Sequence, residues 1–294
     1  MEFRVLKYFL AVAKHENISK AAEELHLTQP TLSRQLNELE NELGAALLIR
    51  GKRKTTLTEA GLFLKARAEE ITALTNKTIE QFAKADELIE GDVYIGCGET
   101  EGMRHVIGAL APLQQKHKGI RIHLNSSSRE LVDDWLDKGI LDFGLMCCAM
   151  PPVDYVYRKI PHEDIWGLFM HESNPLSTKD GIAPEDLIDE PLIVSRQALK
   201  SKEFDHWLGY SAEELKIVST YNLAFNAAFF AEQKIGSVLS FKDLINTDSE
   251  ARKNIIFRPL VPTLHSNNYL IWKKGQIFSR VGRLVKETFE AIFR

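Results

Sequence analysis

A group of short polar side chains and one arginine lies in the segment TQPTLSRQL (28–36). Gln29, Thr31, Ser33 and Arg34 all offer hydrogen-bond donors or acceptors. On an exposed helix such groups suit the edges of nucleic-acid bases, since Arg pairs with guanine and Gln or Asn with adenine. The segment therefore predicts recognition in a DNA major groove.

Three short helices must position this segment. Apolar residues on one face predict a first helix, and Ser19 is the predicted N-cap of a second helix over residues 20–25. The third helix is expected to begin at Thr28 or one residue later, because Pro30 suits a first turn but disfavours an α conformation at Gln29. The residues of this helix that should face a core are Leu32, Leu36, Leu39 and Leu43. Those on its opposite face are Pro30, Arg34, Asn37 and Asn41.

A basic hairpin is predicted after the third helix. Gly44 allows a chain reversal, and residues 47–50 and 54–57 can pair as two strands around 51–53. Four of the five residues 50–54 are basic, which favours attraction to phosphates. A three-helix packing module without a ligand is the alternative. The polar helix face and the basic hairpin in one small domain favour binding to double-stranded DNA instead.

Residues 17–61 resemble the winged helix–turn–helix of the LysR-type transcriptional regulators. The matching residues are Ala21, Ala22, Leu25, Thr28, Gln29, Pro30, Ser33, Arg34, Gln35, Leu39, Glu40, Leu43, Gly44, Leu57, Thr58, Ala60 and Gly61. Residues 47–50 (LLIR) depart mildly from the family's Leu-Phe-x-Arg. The resemblance implies that this region contacts DNA. Asn37 is added as a candidate because it lies on the same helix face. The candidate DNA-binding residues are Gln29, Pro30, Thr31, Ser33, Arg34, Asn37, Arg50, Lys52 and Arg53.

A stretch without Pro or Gly follows from Leu62 to Glu90. Apolar residues at alternating four- and three-residue steps, from Leu64 to Ile89, predict a helix of about 30 residues and roughly 45 Å. Such a helix could be a solvated spacer. Similarity to the family instead implies an antiparallel linker-helix pair, a homodimer or homotetramer, and an inverted-repeat operator.

Short apolar strands alternate with helices after Gly91, which predicts an α/β fold with mostly parallel sheets. The predicted strands are 93–97, 120–124, 142–147, 164–170, 191–195, 215–219, 236–240 and 269–272, and the predicted helices are 101–117, 128–138, 199–209, 221–233 and 277–292. This region resembles the effector domain of the same family, which consists of two periplasmic-binding-protein-like subdomains. The expected domains are 1–58 for DNA binding, 59–90 for the linker helix and 91–294 for effector binding. Within the last, subdomain I is about 91–161 and 268–294, and subdomain II is about 162–267.

A small-molecule effector is expected beyond the carboxyl ends of the strands. The candidate effector-binding residues are Thr100, Glu101, Ser126, Ser127, Ser195, Arg196 and Thr220. Helix starts and Arg196 favour an anionic effector such as a carboxylate. Glu99 and Glu101 beside the same cleft would suit a ligand that carries an amine. Alternatively, the serines only cap helices.

The remaining composition argues against other classes of protein. The net charge is −4, and no apolar run is long enough to cross a membrane. Three cysteines without CxxC spacing favour a reducing cytoplasm, and the Cys147–Cys148 pair is interpreted as core rather than as a redox sensor. The sequence has no GxSxG, HExxH, P-loop or GxGxxG motif, and its nine histidines lack metal spacing, so neither an enzyme nor a cofactor is expected. A solute-binding protein does not explain the winged head. RNA polymerase is a further expected partner if the protein activates transcription.

Overall fold

The computed structural model describes residues 1–51, 54–83, 89–200, 202–247 and 252–293. The chain divides into two compact units, Met1–Ala85 and Asp86–Arg294. Each unit has apolar cores of its own. No helix among the described residues is long and apolar enough to cross a membrane.

The first unit, here called the head, is built from helices and one short hairpin. Its described elements are α1 (Phe3–His15), α2 (Ile18–Glu24), α3 (Gln29–Leu43), β1 (Leu48–Arg50), β2 (Thr55–Leu57) and α4 (Glu59–Ala83). All four helices contribute to one core, in which Phe9, Leu32 and Leu36 are fully buried. The strands β1 and β2 pair antiparallel. The predicted helix–turn–helix with a wing is confirmed.

Two predicted details of the head are wrong. Helix α2 begins at Ile18, because the side chain of Asn17, and not that of Ser19, accepts the backbone N–H of Lys20 at 3.0 Å. Leu43 is 42% exposed, although its position on the helix predicted that it would face the core. It is the last residue of α3, which ends where Gly44 adopts a left-handed conformation with φ +65°.

Helix α4 (Glu59–Ala83) is the described part of the predicted linker helix. Leu64 and Ala68, which belong to the predicted dimer stripe, are buried in the core of the head. Ile89 was predicted to end the stripe, but it precedes strand β3 (Glu90–Cys97) and packs against a core of the second unit. The apolar character of this residue therefore serves the second unit. The part of the prediction that covers residues 84–88 lies outside the described residues.

The second unit alternates strands and helices. Its described strands and helices continue as α5 (Met103–Lys116), β4 (Gly119–Ser126), α6 (Arg129–Asp137), β5 (Phe143–Cys147), β6 (Tyr155–His171), β7 (Leu192–Ser195), α7 (Lys202–Leu208), β8 (Ile217–Tyr221), α8 (Ala224–Glu232), β9 (Ser237–Phe241), β10 (Ile255–Pro259), β11 (His265–Lys273) and α9 (Arg280–Ile292). Short 3-10 helices lie at Pro175–Thr178, Pro184–Leu187, Ala198–Lys200 and Ala212–Glu214.

Two parallel sheets form two lobes that are joined by two long strands. In the first lobe β3 pairs parallel with β4 and β5, and in the second β7 pairs parallel with β8 and β9. Strands β6 and β11 run antiparallel and connect the lobes, giving the order β4-β3-β5-β11-β6-β9-β7-β8, with β10 also paired to β6. Ile160 of β6 lies in a first-lobe core and Leu168 in a second-lobe core. The predicted pair of sheets with crossing strands is confirmed.

Several strand boundaries differ from prediction. The predicted strand 164–170 is only the second half of β6, because Pro161 and the polar residues 162–164 interrupt the apolar pattern where this strand passes between the lobes. Strand β10 was not predicted. Strand β8 lies two residues later than the predicted strand 215–219, so Thr220 belongs to the strand rather than to the loop after it.

Candidate functional site

The first turns of α3 present polar side chains on the surface of the head. Thr28 caps this helix, since its Oγ1 accepts the backbone N–H of Thr31 at 3.4 Å. Leu32 and Leu36 fix the opposite side in the core. The exposed or half-buried candidates, here called the α3 face, are Gln29, Pro30, Thr31, Ser33, Arg34 and Asn37. Because the helix is anchored from behind, this face can be applied to a groove without rearrangement of the head.

Glu40 connects α3 to the wing. Its Oε1 accepts the backbone N–H groups of Leu47 and Leu48 at 2.7 and 3.0 Å, and its Oε2 forms an ion pair with Arg50 at 3.0 Å. The Arg50 guanidinium also donates to Ser33 Oγ at 3.3 Å and to Asn37 Oδ1. One carboxylate and one guanidinium therefore hold the start of the wing beside the α3 face.

The two arginines of this surface differ in their surroundings. Arg34 is 71% exposed, and its Nε lies 3.8 Å from Glu38. Arg50 is enclosed by three hydrogen-bonding partners, one of which carries a negative charge. Arg34 can therefore present its guanidinium to a ligand, whereas Arg50 in this arrangement fixes Asn37 and the wing. Lys52 and Arg53, also predicted to contact DNA, lie outside the described residues.

Gly61 closes the junction between the wing and α4. A Cβ at this position would lie 2.1 Å from the carbonyl oxygen of Leu47. The same oxygen accepts the N–H of Thr58 at 3.0 Å, and Thr58 Oγ1 accepts the N–H of Gly61 at 3.0 Å. Residues 57–61 (LTEAG) thus start α4 so that Gly61 packs directly on the backbone of Leu47.

A cavity of about 610 Å³ is lined by residues of both lobes. This volume lies within the range of small-molecule sites, about 300–1,000 Å³. One part of the wall is apolar, with Met146, Trp166, Phe241 and Leu244. Another part is polar, and its side chains include Glu99, Ser127, Arg129, Glu130, Asp133, Ser195, Gln197, Tyr221 and Asn222. The cavity can accommodate a molecule with an apolar body and a polar end.

The charged groups of the wall are mostly carboxylates. Among the described residues of the wall, the charged side chains are the carboxylates of Glu99, Glu130 and Asp133 and the guanidinium of Arg129. Arg129 Nε lies 3.5 Å from Asp133 Oδ2, while Asp133 Oδ1 is buried and has no hydrogen-bond partner. Burial raises the pKa of Asp133 above its ordinary value, and the charge of Arg129 only partly opposes this shift. Among the described residues, this side of the cavity therefore carries more carboxylates than guanidinium groups.

A hydrogen bond between the lobes crosses the edge of the cavity. The Glu99 carboxylate, in the loop after β3, accepts the backbone N–H of Ala224 at the start of α8. Unpaired N–H groups and the helix dipole make this end of a helix attractive to anions. A side chain of the protein itself thus occupies the start of α8.

A buried polar network holds the loop after β3. The Thr100 hydroxyl lies 2.6 Å from Asp164 Oδ2 and 2.9 Å from Asn268 Oδ1, and it accepts the N–H of Gly102 at 2.9 Å. Asn268 Nδ2 donates to Asp164 Oδ2 at 2.8 Å. Asp164 belongs to β6 and Asn268 to β11, which places the network on both strands that join the lobes.

The predicted effector residues have different locations. Ser127 and Ser195 line the cavity. Thr100 is buried in the polar network, and Glu101 forms an ion pair with Arg104. Ser126 and Thr220 are exposed on β4 and β8, and Arg196 is exposed beyond β7. Sequence reasoning missed the acidic and aromatic wall, which comprises Glu130, Asp133, Trp166 and Phe241; the signal available was the pair of carboxylates three residues apart on one predicted helix.

Comparison with known families covers most of the chain. A profile for bacterial regulatory helix-turn-helix proteins of the lysR family matches residues 3–62. A profile for the LysR substrate binding domain matches residues 86–291, which is more than half of the chain. The chain belongs to the LysR family. The first match coincides with the head up to the beginning of α4, and the second contains the cavity.

Individual LysR relatives are distant. A hydrogen peroxide-inducible genes activator from Pectobacterium carotovorum subsp. carotovorum is 29% identical over 195 residues, which is 66% of this chain and 64% of the relative. The chain thus matches slightly less than two thirds of that relative's length. The regulator AlsR of Bacillus subtilis (strain 168) is 31% identical over 201 residues, 67% of this chain and 66% of AlsR. The uncharacterized regulator YvbU of the same strain is 23% identical over 100% of this chain and 99% of its own length.

Solved LysR structures share the fold. Full-length CbnR in complex with its target DNA has a TM-score of 0.73 at 22% identity, covering 99% of this chain and 100% of CbnR. A full-length OxyR variant from Pseudomonas aeruginosa has a TM-score of 0.55 at 19% identity, covering 100% of both chains. At these identities the similarity establishes the architecture and leaves the ligand to be argued from this chain's own residues.

The cysteines of this LysR chain are in surroundings that disfavour thiolates. Cys97 and Cys148 are buried, and Cys147 lies beside the polar network, with Sγ 3.3 Å from Asn268 Oδ1. Burial raises the pKa of Cys147 well above its ordinary value, and the nearby carboxylate of Asp164 raises it further. Burial also raises the pKa of Cys97. Since the thiolate is the reactive form, the raised pKa makes Cys97 and Cys147 poor candidates for rapid oxidation.

Proposed function

We propose that this LysR-family protein is a sequence-specific DNA-binding transcriptional regulator whose DNA binding or activation is modulated by a small molecule in the cavity between the lobes. The observation that carries this proposal is the α3 face. It combines an exposed guanidinium with amide and hydroxyl groups on a helix anchored by Leu32 and Leu36. Such groups read base edges in a major groove. CbnR, which shares this fold, was crystallised with its target DNA.

The proposed DNA contacts are divided between base reading and positioning. Gln29, Thr31, Ser33 and Arg34 can reach base edges, and Pro30 shapes the first turn. Arg50 donates a hydrogen bond to Asn37, and we propose that these two residues position the wing and contact phosphates. Lys52 and Arg53 complete the proposed phosphate contacts on grounds of sequence.

We propose a homodimer or homotetramer in which two α4 helices pair antiparallel. In support, α4 carries exposed apolar side chains, namely Leu62, Phe63, Ile71, Leu74 and Ile79. A 25-residue helix is roughly 38 Å long. Two such helices would set two heads apart and match an inverted-repeat operator. We also propose domain limits of 1–58 for DNA binding, 59–90 for the linker and 91–294 for effector binding, with Glu90 as the first residue of β3.

The effector would act by changing the relative arrangement of the lobes or of the subunits. A ligand can shift that equilibrium only through unequal affinity for the two arrangements. The hydrogen bond from Ala224 to Glu99 joins the lobes at the cavity edge, which makes the cavity a suitable place for such a bias. The proposed location is the cytoplasm, with RNA polymerase as a partner if the protein activates transcription.

Genome-wide footprinting of the purified full-length protein tests the DNA-binding part. We expect protected sites that share an inverted repeat, and a duplex with the consensus should bind at least about 1,000-fold more tightly than a scrambled duplex at equal salt. Equal affinity for both duplexes would refute sequence-specific regulation. If the protected sites share an inverted repeat, the genes next to them would suggest candidate effectors.

Peroxide is the second candidate stimulus, because several relatives are named hydrogen peroxide-inducible activators. The burial of Cys97 and Cys148 and the raised pKa of Cys147 argue against it. We expect mild peroxide treatment to leave the affinity for the consensus duplex unchanged. A change in affinity that a reductant reverses would favour the peroxide response instead.

A further inference from the structure

Glu38 places a carboxylate beside the α3 face. It lies one turn after Arg34 on the same side of α3, since residues four apart on a helix are neighbours. Its Oε2 accepts the side-chain N–H of Gln35 at 2.8 Å, and its Oε1 lies 3.8 Å from Arg34 Nε. Gln35 thus holds the carboxylate, and the carboxylate attracts the guanidinium that is proposed to read a base.

The stability of α3 does not account for this carboxylate. A glutamate and a basic residue four apart stabilise a helix best when the glutamate comes first, and here Arg34 precedes Glu38. The Glu38 side chain is 58% exposed and that of Arg34 is 71% exposed, so water screens their ion pair and the pair contributes little to folding. The core of the head lies on the opposite side of the helix, at Leu32 and Leu36. The position of the carboxylate therefore has to be explained at the surface that α3 presents to DNA.

Two opposing effects on DNA binding follow from this position. Phosphates repel a carboxylate at a DNA-facing surface, whatever the base sequence. The contact with Glu38 also limits the directions in which the long Arg34 side chain can point, which reduces the entropy lost when Arg34 binds a base. The contact is made at Nε, and the terminal nitrogens can still pair with the two acceptors of guanine. The repulsion therefore acts on every duplex, whereas the orientation of Arg34 helps only on a duplex that offers it the right base.

From these contacts we propose that Glu38 is a positioning residue that raises the specificity of the head for its operator. On the operator, the orientation of Arg34 offsets the repulsion between Glu38 and the phosphates. On other sequences the repulsion remains without compensation, because Arg34 has no matching base. This inference rests on the proposed function, since it adds a residue to the same DNA-binding surface.

Glu38→Gln tests this role in the full-length protein. Fluorescence anisotropy at one fixed salt concentration measures the affinity for the consensus duplex and for the scrambled duplex. We expect the variant to bind the scrambled duplex at least about threefold more tightly and the consensus duplex no more tightly, so that the ratio of the two affinities falls at least about threefold. An unchanged or larger ratio would overturn the proposal.

Glu42→Gln is the matched control. It removes the same charge from the same helix, and the Glu42 side chain is 53% exposed and pairs with the Met1 amino group. The ratio of its two affinities should equal that of the unmodified protein, and circular dichroism checks the fold of both variants. An equal fall of the ratio in both variants would assign the effect to net charge and overturn the positioning role.

The dependence on Arg34 is tested by combining two changes. In the Arg34→Ala protein, Glu38→Gln should tighten binding to both duplexes by the same factor, because only the repulsion is left to remove. Glu38→Asp keeps the charge but shortens the side chain by one methylene group, so it should weaken binding to the consensus duplex and leave the scrambled duplex unaffected. A ratio that falls as far without Arg34 as with it would refute the positioning role.

The unmodified protein separates this proposal from the proposed function. If it binds both duplexes equally, sequence-specific regulation is refuted, and the role of Glu38 with it. If it prefers the consensus duplex and Glu38→Gln keeps that preference, the role of Glu38 is refuted and the regulator remains. A preference that falls in Glu38→Gln but not in Glu42→Gln supports both.

Discussion

Replacement of Arg34 by alanine separates the DNA-reading role of the α3 face from its structural role. The guanidinium is 71% exposed, and its ion pair with Glu38 has an N–O distance of 3.8 Å. Exposed pairs at this spacing contribute about 0.3–0.5 kcal/mol, and alanine is at least as good a helix former as arginine. The free energy of unfolding should therefore change by less than about 0.5 kcal/mol.

The effect on DNA should be much larger. A contact between arginine and a base edge contributes about 1–3 kcal/mol, so Arg34→Ala should weaken binding to the consensus duplex roughly 5- to 150-fold. Fluorescence anisotropy at one fixed salt concentration measures this loss on the consensus and on a scrambled duplex. The specific duplex should lose affinity, and the scrambled one should lose little.

Arg4→Ala is the matched control for this experiment. Arg4 is 66% exposed and pairs with Glu2 at 3.3 Å, which resembles the surroundings of Arg34. It lies near the chain start, where the Met1 amino group pairs with Glu42 at the far end of α3. Arg4→Ala should change the affinity for neither the consensus duplex nor the scrambled duplex. Equal losses of Arg34→Ala on both duplexes would assign Arg34 to phosphate, and no loss on either would refute the assignment of the α3 face.

Three further changes test contacts within each unit. Glu40→Ala removes the acceptor of two backbone N–H groups and the partner of Arg50, and should destabilise the head by about 2–4 kcal/mol in hydrogen exchange; a loss below about 1 kcal/mol would contradict this role. Gly61→Ala puts a methyl group 2.1 Å from the carbonyl oxygen of Leu47 and should cost at least about 1 kcal/mol in the same measurement; unchanged stability would contradict the tight packing of Gly61. The ion pair with the Arg121 guanidinium lowers the pKa of Asp92 from 3.8 to about 2, so its stabilisation, about 2 kcal/mol, is complete above about pH 4 and is lost as the pH falls towards 2. The unfolding free energy of Asp92→Asn should vary less over this range, and an unchanged pH profile would refute the role of Asp92.

The head could be predicted well because its signals are local. Leucines at helical spacing identify the buried side of α3, and Thr28 and Gly44 mark its two ends. The error at Ser19 has a simple cause. Asn17 and Ser19 are both good caps, and only the three-dimensional position of Asn17 relative to the N–H of Lys20 decides between them.

The boundary of the linker helix could not be read in the same way. An apolar residue in a periodic pattern indicates burial, but the pattern does not show which part of the protein packs against it. Leu64 and Ala68 continue the pattern but are buried in the head, and Ile89 packs against the second unit. Ile71 has the same spacing and is 38% exposed, so the members of one pattern have different surroundings.

The cavity was the least predictable part, because its wall combines segments that are distant in the chain. Loops after strands were the natural candidates, and Ser127 and Ser195 do line the cavity. Thr100 follows the same rule, but it is directed at Asp164 and Asn268, two residues that only the crossing of β6 and β11 brings together. The direction of a loop side chain depends on contacts that no local pattern contains.

If an effector occupies the cavity as proposed, that buried network would connect it to both lobes. It fixes Thr100 to the two connecting strands, and the preceding residue, Glu99, accepts the N–H of Ala224 in the second lobe. We expect an increase in the separation of the lobes to break this hydrogen bond. A ligand that draws the Glu99 carboxylate towards itself weakens the bond and favours a different separation, whereas a ligand that leaves it in place stabilises this one. The two kinds of ligand should therefore have opposite effects on the equilibrium between the lobes, although they occupy the same cavity.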